Sequence, residues 1–339
     1  MTVNISNGIE SGNLTVKVLT TNAVDLTLLT EERFEGKVIQ PGANAIRTTG
    51  EHGLALSVEI IKDDQTHHIL LDAGNLTSTI IENSKACKIK LSNVEKLVLS
   101  HGHFDHFGAL MKIIPELKEG CEIILNPECY FQAHSFVFSR GTVISNEELG
   151  TSLKKLMDEG KIKLHKKFPI LNRDILHRIA EQHHLKIIET NDPHLLVNGA
   201  ITSGLITLFD SSEITRGIYI EPQKNEFDNY LARDETSIYI NVKGKGLVIL
   251  TGCGHAGIIN TIKHAQKLTG IQEIYAIIGG LHKVNQPTKS IDDTIKFIEG
   301  VNPEITCGMH CTGFEFNKRM SIGGHPSHTL GVVGTEFHL

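Results

Sequence analysis

Residues 96–110 read KLVLSHGHFDHFGAL, and within them His101, His103, Asp105 and His106 place four potential metal ligands in six positions. The apolar run Leu97, Val98 and Leu99 has the character of a short strand that stops at Ser100. In an extended segment alternate side chains share a face, so His101, His103 and Asp105 are expected to point the same way. His106 then opens the turn into a helix over 107–114 and approaches the same point from another side. Neutral imidazoles with a carboxylate suit zinc, iron or manganese; thiolate-only sets favour structural zinc and all-oxygen sets favour calcium or magnesium. The stretch is therefore expected to form a transition-metal site at the carboxyl end of a strand. Pairs such as His67-His68 and His183-His184 read as ordinary surface residues in a chain with 19 histidines. The HGHFDH stretch differs because its spacing matches strand geometry and it follows an apolar run directly.

Further donors stand in the second half. The apolar strand at 247–251 runs into GCGHAG, a glycine-rich turn that presents Cys253 and His255. Taken alone, Cys253 reads as a small buried apolar residue; its place in this turn makes a ligand role equally open. His255 is either a ligand or the start of a helix. His282 closes AIIGGLH, where Gly279 and Gly280 let backbone or substrate approach closely; a proton donor or a substrate contact is expected there. Near the end, MHCTG brings His310 and Cys311 just after Cys307. A structural zinc on these three lacks a fourth nearby ligand.

The elements that must carry these residues alternate strand and helix. Strands are expected at 14–20, 54–61, 67–71 and 121–125, with a polar hairpin turn at 62–65, a long loop over 21–53 and a helix at 76–86. Strands at 201–209, 237–242, 246–251 and 273–278 follow, with helices at 256–268 and 289–299. Metal-type loops at strand ends in both halves imply two sheets packed face to face with helices outside. Residues 130–200, with amphipathic stretches at 145–159 and 170–182, are expected as an insertion in one domain spanning 1–339. It serves either as packing or as a lid and substrate wall.

The HGHFDH motif after a strand resembles the metallo-β-lactamase superfamily. EHGLALSVEI (51–60), HILLDAGN (68–75), VILTGCGHAGIINTI (248–262), AIIGGLH (276–282) and MHCTG (309–313) come in the order of one branch of it. That branch is the 7,8-dihydropterin-6-yl-methyl-4-(β-D-ribofuranosyl)aminobenzene 5'-phosphate synthase-like proteins. The resemblance spans about residues 14–338. It implies an α/β (α+β) fold, the αβ/βα four-layer sandwich, and one or two divalent transition-metal ions, zinc first, with manganese or iron as alternatives. It also implies that Asp72 orients a ligand histidine and that His310 is the terminal ligand. The superfamily's middle histidine has no counterpart in ITSGLI (201–206), so His255 is expected to join His101 and His103 on a first metal. Asp105, His106 and His310 then serve a second metal, Asp105 also acting in catalysis. Cys253 stands where a bridging aspartate is usual and is an open candidate for that bridge.

Composition narrows the partners. A formal net charge of -6 without blocks of like charge argues against sequence-independent binding to nucleic acid or anionic membranes. No apolar run approaches the roughly 20 residues that span a bilayer, and the first residues lack the pattern of a secretory signal. Six cysteines in 339 residues do not form a disulfide framework, so a cytoplasmic setting is expected. A small-molecule substrate, phosphate-containing or a pterin, fits these limits. Hydrolysis of a phosphoester, thioester or lactone is the leading activity; the alternative is the condensation that the branch implies, joining a dihydropterin to a ribosylaminobenzene phosphate. A redox or inert binding role lacks the expected flavin domain or paired CxxC motifs, and an inert module would be expected to lose ligands that HGHFDH retains.

Overall fold

The computed structural model describes residues 2–138, 153–213, 218–223 and 226–339. Two large sheets lie face to face. The first has the strand order β2 (Val38–Ile39), β18 (Glu336–His338), β1 (Leu14–Thr20), β3 (Ala55–Lys62), β4 (Gln65–Leu71), β5 (Lys96–Val98), β6 (Glu122–Leu125) and β9 (Lys186–Glu189). The second runs β10 (Leu195–Val197), β11 (Ala200–Thr202), β14 (Ile238–Val242), β15 (Gly246–Thr251), β16 (Ile274–Gly280) and β17 (Ile305–Met309). Each passes from an antiparallel hairpin into parallel strands. β3 pairs with β4 and then β5, β6 and β9 run parallel; β14 pairs with β15 and then β16 and β17 run parallel.

Side-chain alternation sorts the core into three layers. Val58, Ile69, Leu71 and Val98 of the first sheet meet Ile240, Val248, Leu250 and Ile278 of the second between the sheets. Leu70, Leu97, Leu99 and Ile123 face outward under helices that contribute Ile80, Leu110, Ile113 and Leu176. Leu247, Ile249 and Ile277 are covered by Ile262, Ala265, Ile295 and Phe316. Strands covered on both faces read as continuous apolar runs, which is why β15 is buried along its whole length. The layers are helices, sheet, sheet, helices: the αβ/βα sandwich that the resemblance implied.

The hairpin at 62–65 forms with Lys62 opposite Gln65. Asp63 and Asp64 both take positive φ, 51° and 59°, the pattern of a type I′ turn. Two expectations are corrected. The strand at 201–209 ends at Thr202, and Ile206 instead packs beside Tyr230, Ala232 and Ala256. The helix at 107–114 begins earlier and is broken, as Phe104–Phe107 and Leu110–Ile113. The break falls at Gly108, where a Cβ would lie 2.4 Å from the backbone of Asn75 and Leu76. The described elements of 130–200, expected as one insertion, pack in two places. β7 (Gln132–Phe138) and β8 (Ile162–Lys167) form a separate small sheet with β12 (Ile218–Gln223) and β13 (Glu226–Asn229). By contrast, the helix Arg173–Gln182 packs Leu176 and Ala180 on the first sheet, whose edge is β9. The amphipathic stretch at 145–159 is seen as the helix Leu153–Asp158; residues 145–152 lie outside the described residues.

One carboxylate ties that returning helix to the sheet edge. Glu189 on β9 accepts from Arg173 Nε and Nη2 (both 2.9 Å) and from Tyr130 Oη (2.9 Å), with His177 Nε2 at 2.7 Å. The Arg173 hydrogen bond, above all, holds its pKa down to about 2 against burial, which would raise it. A depressed carboxylate stabilises the fold above its unfolded pKa, and that contribution is lost as pH falls through the folded value. The melting temperature is therefore expected to fall more steeply between about pH 4.5 and about pH 2 in the parent than in Glu189→Gln. Parallel curves for the two proteins would refute the assignment.

Candidate metal centre

The loops that follow β4, β5, β15, β16 and β17 meet at one end of the sandwich, outside the carboxyl ends of parallel strands. That is where open α/β sheets commonly place ligands. The first loop begins with Asp72, fully buried and in the left-handed region at φ 63°. Its carboxylate accepts from Ser100 N (2.7 Å), from Ser100 Oγ (2.8 Å) and from His106 Nδ1 (2.6 Å). Because the Ser100 hydroxyl proton points to Asp72, Oγ accepts from His101 Nδ1 at 2.8 Å. Both imidazoles thus carry their proton on Nδ1 and turn the Nε2 lone pair toward the interior, the arrangement that a metal-binding histidine needs. The expected orienting role of Asp72 has this geometry.

Several overlapping groups of donors result, two of them around the HGHFDH loop. His101, His103 and His255 bring one nitrogen each within 4.8 Å of one another. His101 Nε2 lies 3.1 Å from His103 Nδ1, and neither ring nitrogen of His255 has a partner. Burial pushes the pKa of all three down, helped by the neighbouring histidines: His103 falls to about 4, His101 and His255 well below the usual imidazole range. They are neutral donors with free lone pairs. In the second group His106 Nε2 lies 3.2 Å from His310 Nε2 and 3.2 Å from Cys253 Sγ. Asp105 Oδ2 lies 3.3 Å from His310 and 4.0 Å from His106.

This grouping corrects the expectation that Asp105 shares a face with His101 and His103. The helix begins at Phe104, and its rotation carries Asp105 to the other side, against His52, His106 and His310. Burial would raise the Asp105 pKa, but His106, His310 and His52 hold it well below the carboxylate range, so it is ionised. Burial likewise opposes a charge on His106, yet Asp72 and Asp105 outweigh it and draw its pKa up to about 9. The field at His106 Nε2 therefore favours a positive charge, proton or cation. Unpartnered buried nitrogens in one group and a cation-favouring field in the other both fit a metal.

His282 lies inside this assembly, its ring 4.3 Å from that of His255 and its Nδ1 buried without a partner. The zinc considered on Cys307, His310 and Cys311 is not assembled. Cys307 faces the core between the sheets, while Cys311 turns toward Cys253 and His282.

Sequence reading missed the braces. Asp234 accepts from Gly102 N (2.8 Å) and Tyr230 Oη (2.7 Å), and Glu235 accepts from the backbone of His255 (2.7 Å) and Ala256 (2.6 Å). Adjacent carboxylates thus hold one loop from each half. Burial raises Asp234 to about 6 and Glu235 to about 7, with those N–H and O–H donors opposing. His52, in the EHG that precedes β3, reaches Asp105 at 3.2 Å. The small sheet borders the site at both of its exits: Phe168 lies 6.4 Å and Tyr230 5.1 Å from the His103 ring.

Residues 55–120 match the family described as the Metallo-beta-lactamase superfamily. The chain is 31% identical over 273 residues to 7,8-dihydropterin-6-methyl-4-(beta-D-ribofuranosyl)-aminobenzene-5'-phosphate synthase of Methanocaldococcus jannaschii, covering 78% of this chain and 82% of that one. It is 24% identical over 287 residues to an uncharacterized protein of the same organism, MJ0448, covering 83% and 94%. The crystal structure of Tm1679, a metal-dependent hydrolase of the beta-lactamase superfamily, shares the fold with a TM-score of 0.69 at 18% identity, over 96% of this chain and 99% of that one. The chain belongs to the metallo-β-lactamase superfamily, and this membership supports a metal-dependent enzyme. Within the superfamily its sequence falls with the dihydropterin-ribofuranosylaminobenzene phosphate synthase-like branch.

Asp72→Asn tests the orienting network. It keeps the size of the side chain but removes the charge that fixes Ser100 and His106. Metal affinity, measured by competition with a chelator, is expected to fall about 10–100-fold, with the far-ultraviolet circular dichroism unchanged. Parent-like affinity would show that Asp72 does not orient ligands.

Proposed function

We propose that this protein is a metal-dependent hydrolase that transfers an acyl or phosphoryl group from an oxygen or sulfur leaving group to water. The reading rests on one observation above all: neutral His101, His103 and His255 converge beside an ionised Asp105. In it His101, His103 and His255 hold one cation, and Asp105, His106 and His310 hold a second, with zinc the first choice and manganese or iron the alternatives. Such cations supply Lewis acidity toward a phosphoryl or carbonyl oxygen and lower the pKa of a bound water.

The chain's own residues do the remaining work. Asp105, kept ionised, is an acceptor throughout and can hold a proton donor such as water in line. Asp72 and Ser100 fix the His101 and His106 tautomers, and Asp234 and Glu235 hold the two loops in register. Phe104, Phe168 and Tyr230 surround His103 with aromatic surface, Phe104 stacked on Phe168 at 6.0 Å. This is the substrate-wall role proposed for the insertion, now confined to the small sheet and its exits. A small molecule with a flat ring and a phosphate fits such a wall.

A second reading is favoured by the 31% identity to the synthase. There an arylamine nitrogen replaces water as acceptor and a dihydropterin is joined to a ribosylaminobenzene phosphate, the same histidines and Asp105 holding a metal that would supply Lewis acidity toward a pyrophosphate leaving group. The two readings share the electrophilic side of the site and differ in the acceptor.

Metal-loaded protein given phosphodiester, thioester and lactone substrates is expected to release product, with Asp105→Asn lowering kcat by about 100-fold or more, as when a preorganised charge is removed from a reacting centre. Inertness toward all three, with condensation of the pterin and arylamine substrates, would replace the hydrolase by the synthase. Undiminished turnover in Asp105→Asn would remove Asp105 from the mechanism.

A further inference from the structure

Cys253, His282 and Cys311 each stand two residues beyond the end of a strand, after β15, β16 and β17 respectively. These strands are neighbours and parallel: Gly280 pairs with Met309, which sets His282 level with Cys311, and Thr251 pairs with Gly279, which sets Cys253 one position short of His282. Parallel strands release their following loops on one side, so the three donors are delivered to one point. Their Sγ, imidazole nitrogen and Sγ lie within 4.8 Å of one another.

Several features suit this point to a cation of its own. Cys253 and Cys311 are 3% and 6% exposed, and neither forms a disulfide. His282 Nδ1 is buried with no hydrogen-bond partner, and its backbone is held at φ 40°, a strained region for a residue with a Cβ. A Cβ on Gly280 would lie 2.8 Å from Cys311 Sγ, so the glycine is what lets the thiol in. The Cys311 Sγ lies 3.1 Å from the Cys253 carbonyl oxygen. Tetrahedral zinc with two sulfur ligands sets them about 3.8 Å apart, within reach of small side-chain rotations here.

We propose that Cys253, His282 and Cys311 form a sulfur-rich subsite for a thiophilic divalent cation, zinc or iron in preference to manganese or magnesium. It lies beside the His101, His103 and His255 group and is distinct from the position proposed on Asp105, His106 and His310. Two thiolates reduce the Lewis acidity of that cation and make it a fixed structural and electrostatic partner, while the three-histidine position keeps the open coordination. His282 is then a ligand and not a proton donor. The inference rests on the metal-dependent reading of the site.

Cobalt(II) is the probe, because thiolate ligation gives an intense near-ultraviolet charge-transfer band that nitrogen and oxygen ligands do not. The cobalt-loaded parent is expected to show this band, and Cys311→Ser to lose about half of it, one thiolate of two, while Cys307→Ser leaves it intact. X-ray absorption of the zinc-loaded parent is expected to show sulfur at about 2.3 Å, a measurement that needs no variant to fold. Loaded protein without sulfur ligation, or a band unaffected by Cys311→Ser, would overturn the subsite. Sulfur-ligated metal in a protein that turns over no substrate would instead count against the proposed activity and leave the subsite standing.

Discussion

The site depends on the buried carboxylate of Asp72. Burying a carboxylate costs several kcal/mol unless it is well paired. Here three donors from two side chains and one backbone offset that cost, each charge-assisted bond contributing about 1.5–3 kcal/mol. The same bonds decide which nitrogen of His101 and of His106 is free. One residue at the end of β4 therefore sets the chemistry of a loop that begins after β5. The left-handed backbone at Asp72, His282 and His310 marks where the fold accepts local strain to aim side chains inward.

The duplicated architecture explains why so many donors converge. Each half supplies a hairpin followed by parallel strands, and parallel strands place all their carboxyl ends on one side. The first sheet delivers Asp72 and the HGHFDH loop; the second delivers Cys253, His255, His282, His310 and Cys311. Asp234 and Glu235 then fasten the halves together. Because those two carboxylates sit on one short stretch before β14, a shift of either half is felt by the other.

Much of this was legible in the sequence. HGHFDH announces itself because its four donors fall within six residues and follow an apolar strand, and the four-layer fold follows from alternating strand and helix patterns. His255 was a candidate from its place in the GCGHAG turn, strengthened by the lack of a histidine at 201–206. The direction of Asp105 was not legible, since it depends on a helix starting at Phe104 and not at Phe107. Asp234 and Glu235 look like any polar pair before a strand, and only their burial by distant loops makes them braces. The 203–209 stretch was misread because Leu205, Ile206 and Leu208 are as apolar as a strand, while only Ile206 is buried, beside Tyr230, Ala232 and Ala256, and Leu205 and Leu208 are exposed.

The central claim is that His101, His103 and His255 enclose a metal ion. Anomalous diffraction at the absorption edge of the metal found in protein purified without added metal tests it directly. A peak is expected within bonding distance, about 2.0–2.1 Å, of one nitrogen from each of the three histidines. A crystal of fully metal-loaded protein with no peak there, or with its metal bound only elsewhere, would contradict it.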